Sequence, residues 1–191
     1  MSKIKNKFFL PCLKTLGIST LTLGTLLSGF LLTTIAAAVD LGGVQVVFDS
    51  SPRLTRTAVA TYPGIGALAQ YHFTIAVPES AGKPLQAVTI TQQENLEKIG
   101  FDLSQSKAFA GDRFAGGSTV PIASIGGSKS SDSNEVTITF DPPIQPGSTV
   151  TIALRGKRPT WGGIYLFGVT AFPVGENSHG LYLGSGRIAF P

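Results

Sequence analysis

The amino-acid sequence predicts an all-β protein, folded as a two-layer antiparallel sandwich. Short apolar runs, eight to ten of them, alternate with polar residues at period two, which is the spacing that gives a strand one inward and one outward face. Turn residues break the runs throughout, with 23 Gly and 12 Pro in 191 residues. A helical period is almost absent, so the strands must cover one another.

Residues 1–38 are set apart from this fold because they have the three parts of an export signal. Lys3, Lys5, Lys7 and Lys14 form a basic start with no acidic residue. An apolar run from Leu16 to Ile35 follows, and Ala36-Ala37-Ala38 supply the small residues a signal peptidase reads, which places cleavage after Ala38. The run is about 20 residues, long enough to serve as a membrane anchor if it stayed uncut, but eight Ser and Thr between positions 15 and 34 lower its hydrophobicity. Cys12, the single cysteine, precedes the run and follows Leu10-Pro11, unlike a lipid-modified cysteine. It leaves with the signal, so residues 39–191 have no disulfide, thiol nucleophile or thiolate ligand. That length suits one sandwich domain.

The formal charge of +4 belongs to the leader. Four of the 15 Lys and Arg lie there, and the other 11 are balanced by 11 Asp and Glu, all after residue 38. No basic field remains to attract nucleic acid.

Along the mature chain, Val44 to Phe48 reads as a short strand stopped by Asp49-Ser50-Ser51-Pro52. Arg53 to Gln70 reads as a connection around the turn Tyr62-Pro63-Gly64-Ile65-Gly66. Tyr71, Phe73, Ile75 and Val77 alternate with His72, Thr74 and Ala76 in a half-buried strand. Leu85 to Thr91 is another, with Val88 and Ile90 inward and Thr89 and Thr91 outward. Gln92 to Ile99 has room for one helical turn. Phe101 to Leu103 and Lys107 to Phe109 are short strands, and Thr119 to Ile125 is pushed to an edge by Pro121.

Gly126 to Asn134 is a polar hairpin connection. Val136, Ile138 and Phe140, then Val150, Ile152 and Leu154, form the cleanest pair of alternating runs. Between them, Asp141-Pro142-Pro143-Ile144-Gln145-Pro146-Gly147 forbids a continuous ladder and suits a passage between sheets or along an edge. Gly162 to Gly175 is the most apolar stretch, with Tyr165, Phe167, Val169 and Ala171 on one face. Leu166 and Phe172 on the other predict a central strand covered on both sides. Leu181 to Phe190 closes the domain, loosened by Gly184 and Gly186. The whole pattern fits an immunoglobulin-like sandwich, with a closed barrel as the second choice.

With these runs in place, the chain resembles the family called domain of unknown function 2808. The resemblance is carried by Pro52-Arg53-Leu54, Tyr71-His72-Phe73-Thr74, Val77-Pro78, and Ala81-Gly82-Lys83-Pro84-Leu85-Gln86 running into Val88 to Gln92. It continues through Phe140-Asp141-Pro142-Pro143, Pro146-Gly147, Gly163 to Pro173, and Gly184 to Arg187. It implies an exported cyanobacterial protein of unassigned activity and carries over no catalytic residue.

No catalytic constellation stands out. His72 falls on a polar strand face and His179 in a polar turn, and neither adjoins a nucleophile elbow. Asp102, Asp112, Glu135 and Asp141 are the acids a loop-based glycan hydrolase would use, yet each has an ordinary surface or turn role. Zinc or copper would need His, Cys or Met clusters that residues 39–191 lack. Calcium would draw on Asp102, Asp112 or Asp132 without any recognisable loop spacing. Gly111 to Gly117 and Gly184 to Gly186 do not open helices, so they read as turns or bulges.

The strongest local signal is Arg155-Gly156-Lys157-Arg158-Pro159-Thr160-Trp161. Read as packing, it is a solvated loop whose Trp plugs the end of the sandwich. Read as a site, Arg155, Lys157 and Arg158 pair with anions while the Trp161 indole lies on a sugar ring or a cation. The sequence therefore predicts an exported, non-catalytic module of the periplasm or cell envelope, without cofactor, that contacts an envelope polysaccharide or protein. A glycan hydrolase and a membrane-tethered domain are the alternatives, the latter only if residues 1–38 are retained.

Overall fold

The computed structural model describes residues 45–61, 68–113, 117–126 and 134–191. The signal segment with its cleavage site, the Tyr62–Gly66 turn, Asp132 and most of the Gly126–Asn134 connection lie outside these residues.

Ten strands form in order: β1 (Arg53–Thr61), β2 (Leu68–Ala76), β3 (Leu85–Gln92), β4 (Phe101–Ala110), β5 (Thr119–Val120), β6 (Ile122–Gly126), β7 (Glu135–Ile144), β8 (Thr149–Lys157), β9 (Gly163–Pro173) and β10 (Leu181–Phe190). They make two five-stranded sheets, β1-β2-β8-β4-β5 and β10-β9-β3-β7-β6. All pairings are antiparallel. This is the antiparallel sandwich of immunoglobulin-like architecture, two sheets face to face with connections passing between them.

The core is the inward half of the alternating runs. Tyr71, Phe73 and Ile75 of β2 and Val150, Ile152 and Leu154 of β8 face Val88 and Ile90 of β3, Ile138 and Phe140 of β7, and Tyr165, Phe167, Val169 and Ala171 of β9. Phe73 and Phe167 meet edge to face across the sheets at 5.5 Å. Removing either ring leaves a cavity in close-packed surroundings and costs about 3–5 kcal/mol.

Several expectations change. Arg53 to Gln70 is not a connection, because β1 and the start of β2 occupy it. A bulge between Leu54 and Arg56 breaks the alternation. Leu54, Thr57 and Val59 therefore share the inward face at a spacing of three then two, which no period-two reading detects. Val44 to Phe48 forms no strand among its described residues, only a bridge from Val46 to Ser178. Gln92 to Ile99 forms no helical turn. The buried Gln92 side chain holds that loop instead, donating to the Glu97 carbonyl and accepting from the Ile99 amide, each at 2.8 Å. The single helical turn among the described residues is 3-10, at Glu79–Ala81.

The two alternating runs β7 and β8 do not pair with each other. They lie in opposite sheets, and the proline bridge carries the chain across. Pro121 does the same at the other edge, ending β5 in one sheet and starting β6 in the other. The Phe101–Phe109 segment is one strand, and the five steps of chain from Asp102 to Lys107 advance only two positions along β8.

Burial of the outer faces is the reverse of the expectation. The outward side of β9 is open over its first half, with Ile164 and Leu166 exposed, while Gly168 is buried and Phe172 half-buried further along. The outward side of β2 is covered, with His72 and Thr74 buried. β9 is thus interior to its sheet, covered along one face and only partly along the other.

Candidate functional site: the end of the sandwich around Trp161

Strand β8 ends at Lys157 and β9 begins at Gly163, so the Arg158–Gly162 connection crosses one end of the sandwich. Its backbone is fixed from below. Tyr71, buried in one sheet, donates its hydroxyl hydrogen to the Lys157 carbonyl at 2.7 Å. Tyr165, buried in the other, donates to the Trp161 carbonyl at 3.0 Å. Burial raises the pKa of both phenols, with a lesser contribution from Glu97, and Tyr165 adds to the effect on Tyr71. Both therefore stay protonated donors over the working pH range.

From the Gln92–Ile99 loop, Glu97 accepts the Thr160 amide at 2.6 Å and the Trp161 amide at 3.2 Å. The Lys157 amide donates to the Gly100 carbonyl at 3.2 Å. A carboxylate on two backbone amides is a charge-assisted clamp. Three separate elements thus hold a five-residue connection, which has no ladder of its own, and the strand end that enters it.

Trp161 is nevertheless 63% exposed. It does not plug the sandwich, and the reason is visible beneath it. The end is already filled by aromatic rings: Tyr71 and Phe101 meet edge to face at 5.3 Å, Tyr165 and Phe190 at 5.6 Å, and Tyr71 lies 5.9 Å from Phe167. A full core and a fixed backbone leave the indole in water, an unfavourable place for a large ring unless something covers it.

The three predicted cations do not share one location. Strand alternation turns Arg155 and Lys157 away from the core, onto the outer side of the sheet containing β2 and β4, where Arg155 is in register with Gln70 and Asp102. Arg158 lies beyond the strand and reaches the Pro191 carbonyl at 3.4 Å. Sequence reasoning missed three further exposed apolar residues: Leu96, 87% exposed on the loop that carries Glu97, and Ile164 and Leu166 on the outer face of β9. The exposed apolar residues of β9 were visible in the sequence but were assigned to a covered face.

The candidate acids are dispersed. Asp102 is in β4, where it accepts from the Ser104 amide at 3.1 Å and from the Ser104 hydroxyl at 2.6 Å. Asp112 follows β4. Glu135 opens β7 in the other sheet, and Asp141 lies six residues further along it. No group of three or more His, Cys, Asp or Glu able to hold a metal occurs among the described residues.

His72 departs from the surface role expected for it. It is 5% exposed, on the floor of a hollow of about 140 Å³ lined also by Arg56, Ala58, Ala60, Thr74, Asp112 and Thr151. Thr74 and Thr151 share a hydroxyl hydrogen bond at 3.0 Å, and Thr151 donates to the Gly111 carbonyl at 2.7 Å. Burial, and secondarily the Arg56 cation, lower the His72 pKa to about 4. The imidazole is neutral at pH 7. His179 is exposed in its turn, and its amide donates to the Val46 carbonyl.

Residues 45–190 match the family described as protein of unknown function DUF2808. No curated protein matches the chain. Among solved structures, similarity extends to a collagen-binding domain from a Staphylococcus aureus adhesin, at 10% identity and a TM-score of 0.38, covering 70% of this chain and 95% of that one. The C-terminal domain of the Streptococcus agalactiae AgI/II polypeptide BspA is 12% identical with a TM-score of 0.43, covering 73% of this chain and 50% of that one. An uncharacterised protein from Nocardia farcinica with an immunoglobulin-like fold is 15% identical, with a TM-score of 0.33 and coverage of 69% and 96%. No helix among the described residues is long and apolar enough to cross a membrane.

Proposed function

We propose, starting from the fact that the chain belongs to the DUF2808 family of proteins of unknown function, that it is an exported, non-catalytic binding module of the cell envelope. Its contact surface is the end of the sandwich around Trp161. One observation carries this reading: a Trp that is 63% exposed on a connection whose backbone is held by Tyr71, Tyr165 and Glu97. A fixed backbone lowers the ordering cost of association, and an exposed indole supplies a flat apolar face to bury. The candidate acids are divided between β4 with the turn after it in one sheet and two positions six residues apart on β7 in the other, which favours binding over two-carboxylate hydrolysis.

Export rests on residues 1–38, read as a cleaved signal ending at Ala38, and places the module in the periplasm or envelope. Arg158, beyond the end of β8 on the same connection as the indole, adds affinity for carboxylate or sulfate groups. Arg155 and Lys157, on the outer side of their sheet, stand apart from this surface.

The test is co-sedimentation of the purified protein with isolated cell-wall and outer-membrane fractions across a salt series. The reading expects binding that weakens with salt and is lost in Trp161→Ala. Absence of binding at low salt, or full binding by Trp161→Ala, contradicts it.

A further inference from the structure

From the arrangement beside Trp161 we infer that the outer face of β9 and β10 is a track for an extended acidic polysaccharide chain. This rests on the binding-module reading and names its ligand. Two exposed aromatic residues mark the track: Trp161 just before the start of β9, and Tyr182, 56% exposed, on the neighbouring strand β10. The Tyr182 ring lies over the middle of β9. A Cβ placed on Gly168 would come within 3.2 Å of it, so this glycine leaves the space in which the ring rests.

The ring is fixed from its polar end. Its hydroxyl lies 2.6 Å from the Ser185 hydroxyl, which accepts from the Gln93 amide at 2.7 Å. Gln93 is itself held, through its backbone amide, on the Leu166 carbonyl at 2.8 Å. The five steps from Gly163 to Gly168 span about 17 Å at the rise of a strand, room for several sugar rings in line.

Between the two aromatics, β9 presents Ile164 and Leu166, which the apolar faces of pyranose rings can cover. The charge on this stretch of the two strands is Arg187, in register with Leu166 and exposed. It is complementary to a carboxylate or sulfate on the sugar. On the far side of β9, Thr170, Thr89 and Thr137 stand in register across three strands, and the Thr89 and Thr137 hydroxyls are hydrogen-bonded at 2.8 Å. The carboxylate on this sheet face, Glu135, stands two strands from β9, in register with Thr91 and accepting from its hydroxyl, so the charge beside the strip itself is the guanidinium. A narrow apolar strip with rings along it, hydroxyls beside it and this guanidinium fits a hydroxyl-rich acidic polymer. The broad apolar centre of a lasting protein interface is a different surface.

The probes are envelope polysaccharides freed of protein by protease digestion and divided by anion exchange into acidic and neutral fractions. Affinity electrophoresis of the intact protein should show retardation by the acidic fraction. Tyr182→Ala should weaken it by about tenfold or more, as for a central aromatic contact. Arg187→Gln should abolish the preference for acidic over neutral fractions. Both side chains are exposed, so unchanged melting of these variants keeps the comparison clean.

Equal retardation by neutral polymer, or full retention in Tyr182→Ala, overturns the track. Binding to whole envelope but to neither polysaccharide fraction assigns the surface to a protein partner and overturns it as well. Self-association of the protein that Tyr182→Ala abolishes makes it an interface between copies. Loss of binding to whole envelope, by contrast, removes the binding-module reading itself.

Discussion

The hydroxyl of Tyr165 lies 3.0 Å from the carbonyl oxygen of Trp161, so a phenol buried in the core holds the peptide that presents an exposed indole. Tyr165→Phe keeps the ring against Phe190 and removes this one bond. Stability should fall by about 1 kcal/mol. Trp161 is the single tryptophan, so its fluorescence anisotropy reports the connection without background. Anisotropy should drop in Tyr165→Phe, and an unchanged value would show that the hydroxyl does not order the loop.

Glu97 clamps the same peptide from the other side. Glu97→Ala removes the acceptor of both the Thr160 and Trp161 amides. These amides are near water, so the global cost should be modest, about 1–2 kcal/mol. Amide exchange at Thr160 and Trp161 should accelerate well beyond that of the β9 amides. Uniform acceleration would mean that Glu97 supports the whole fold.

Gly186 of β10 faces Thr57 of β1 across the open side of the sandwich, and a methyl on Gly186 would collide with the Thr57 side chain. Gly186→Ala should destabilise by about 1–3 kcal/mol, the usual cost of overpacking. Thr57→Ala should restore part of the loss when combined with it. Additive losses in the double variant, measured by urea unfolding, would contradict this contact.

His72 gives the fold a pH dependence. Its pKa is about 4 in the folded protein, against 6.5 for an exposed imidazole. As pH falls, the unfolded chain takes up the proton first. The contribution is complete above about pH 6.5, declines between there and about pH 4, and levels off below. The gap corresponds to at most about 3 kcal/mol. His72→Gln should flatten the stability profile in this window. Profiles of wild type and variant that stay parallel would contradict the assignment.

Much of the sandwich was legible because inward side chains recur at period two, as in Tyr71 to Ile75 and Tyr165 to Ala171. What interrupts that period hides structure. The bulge after Leu54 concealed β1, and the strand partners of β7 and β8 depend on a proline bridge whose direction no local pattern gives. Covering of an outer face is not local either: Leu166 and His72 were assigned by polarity, and distant segments decided the opposite. The Arg155–Trp161 stretch was legible as chemistry. Its geometry depended on Tyr71, Glu97 and Tyr165, none of which announces its bond in sequence.

Trp161 emission, recorded while isolated envelope is added to the purified protein, tests the central proposal most directly. If the exposed indole is the contact, emission should shift to the blue and acrylamide quenching should fall in parallel with the bound fraction. Protein that sediments with the envelope while its emission and quenching stay those of the free state would contradict the account.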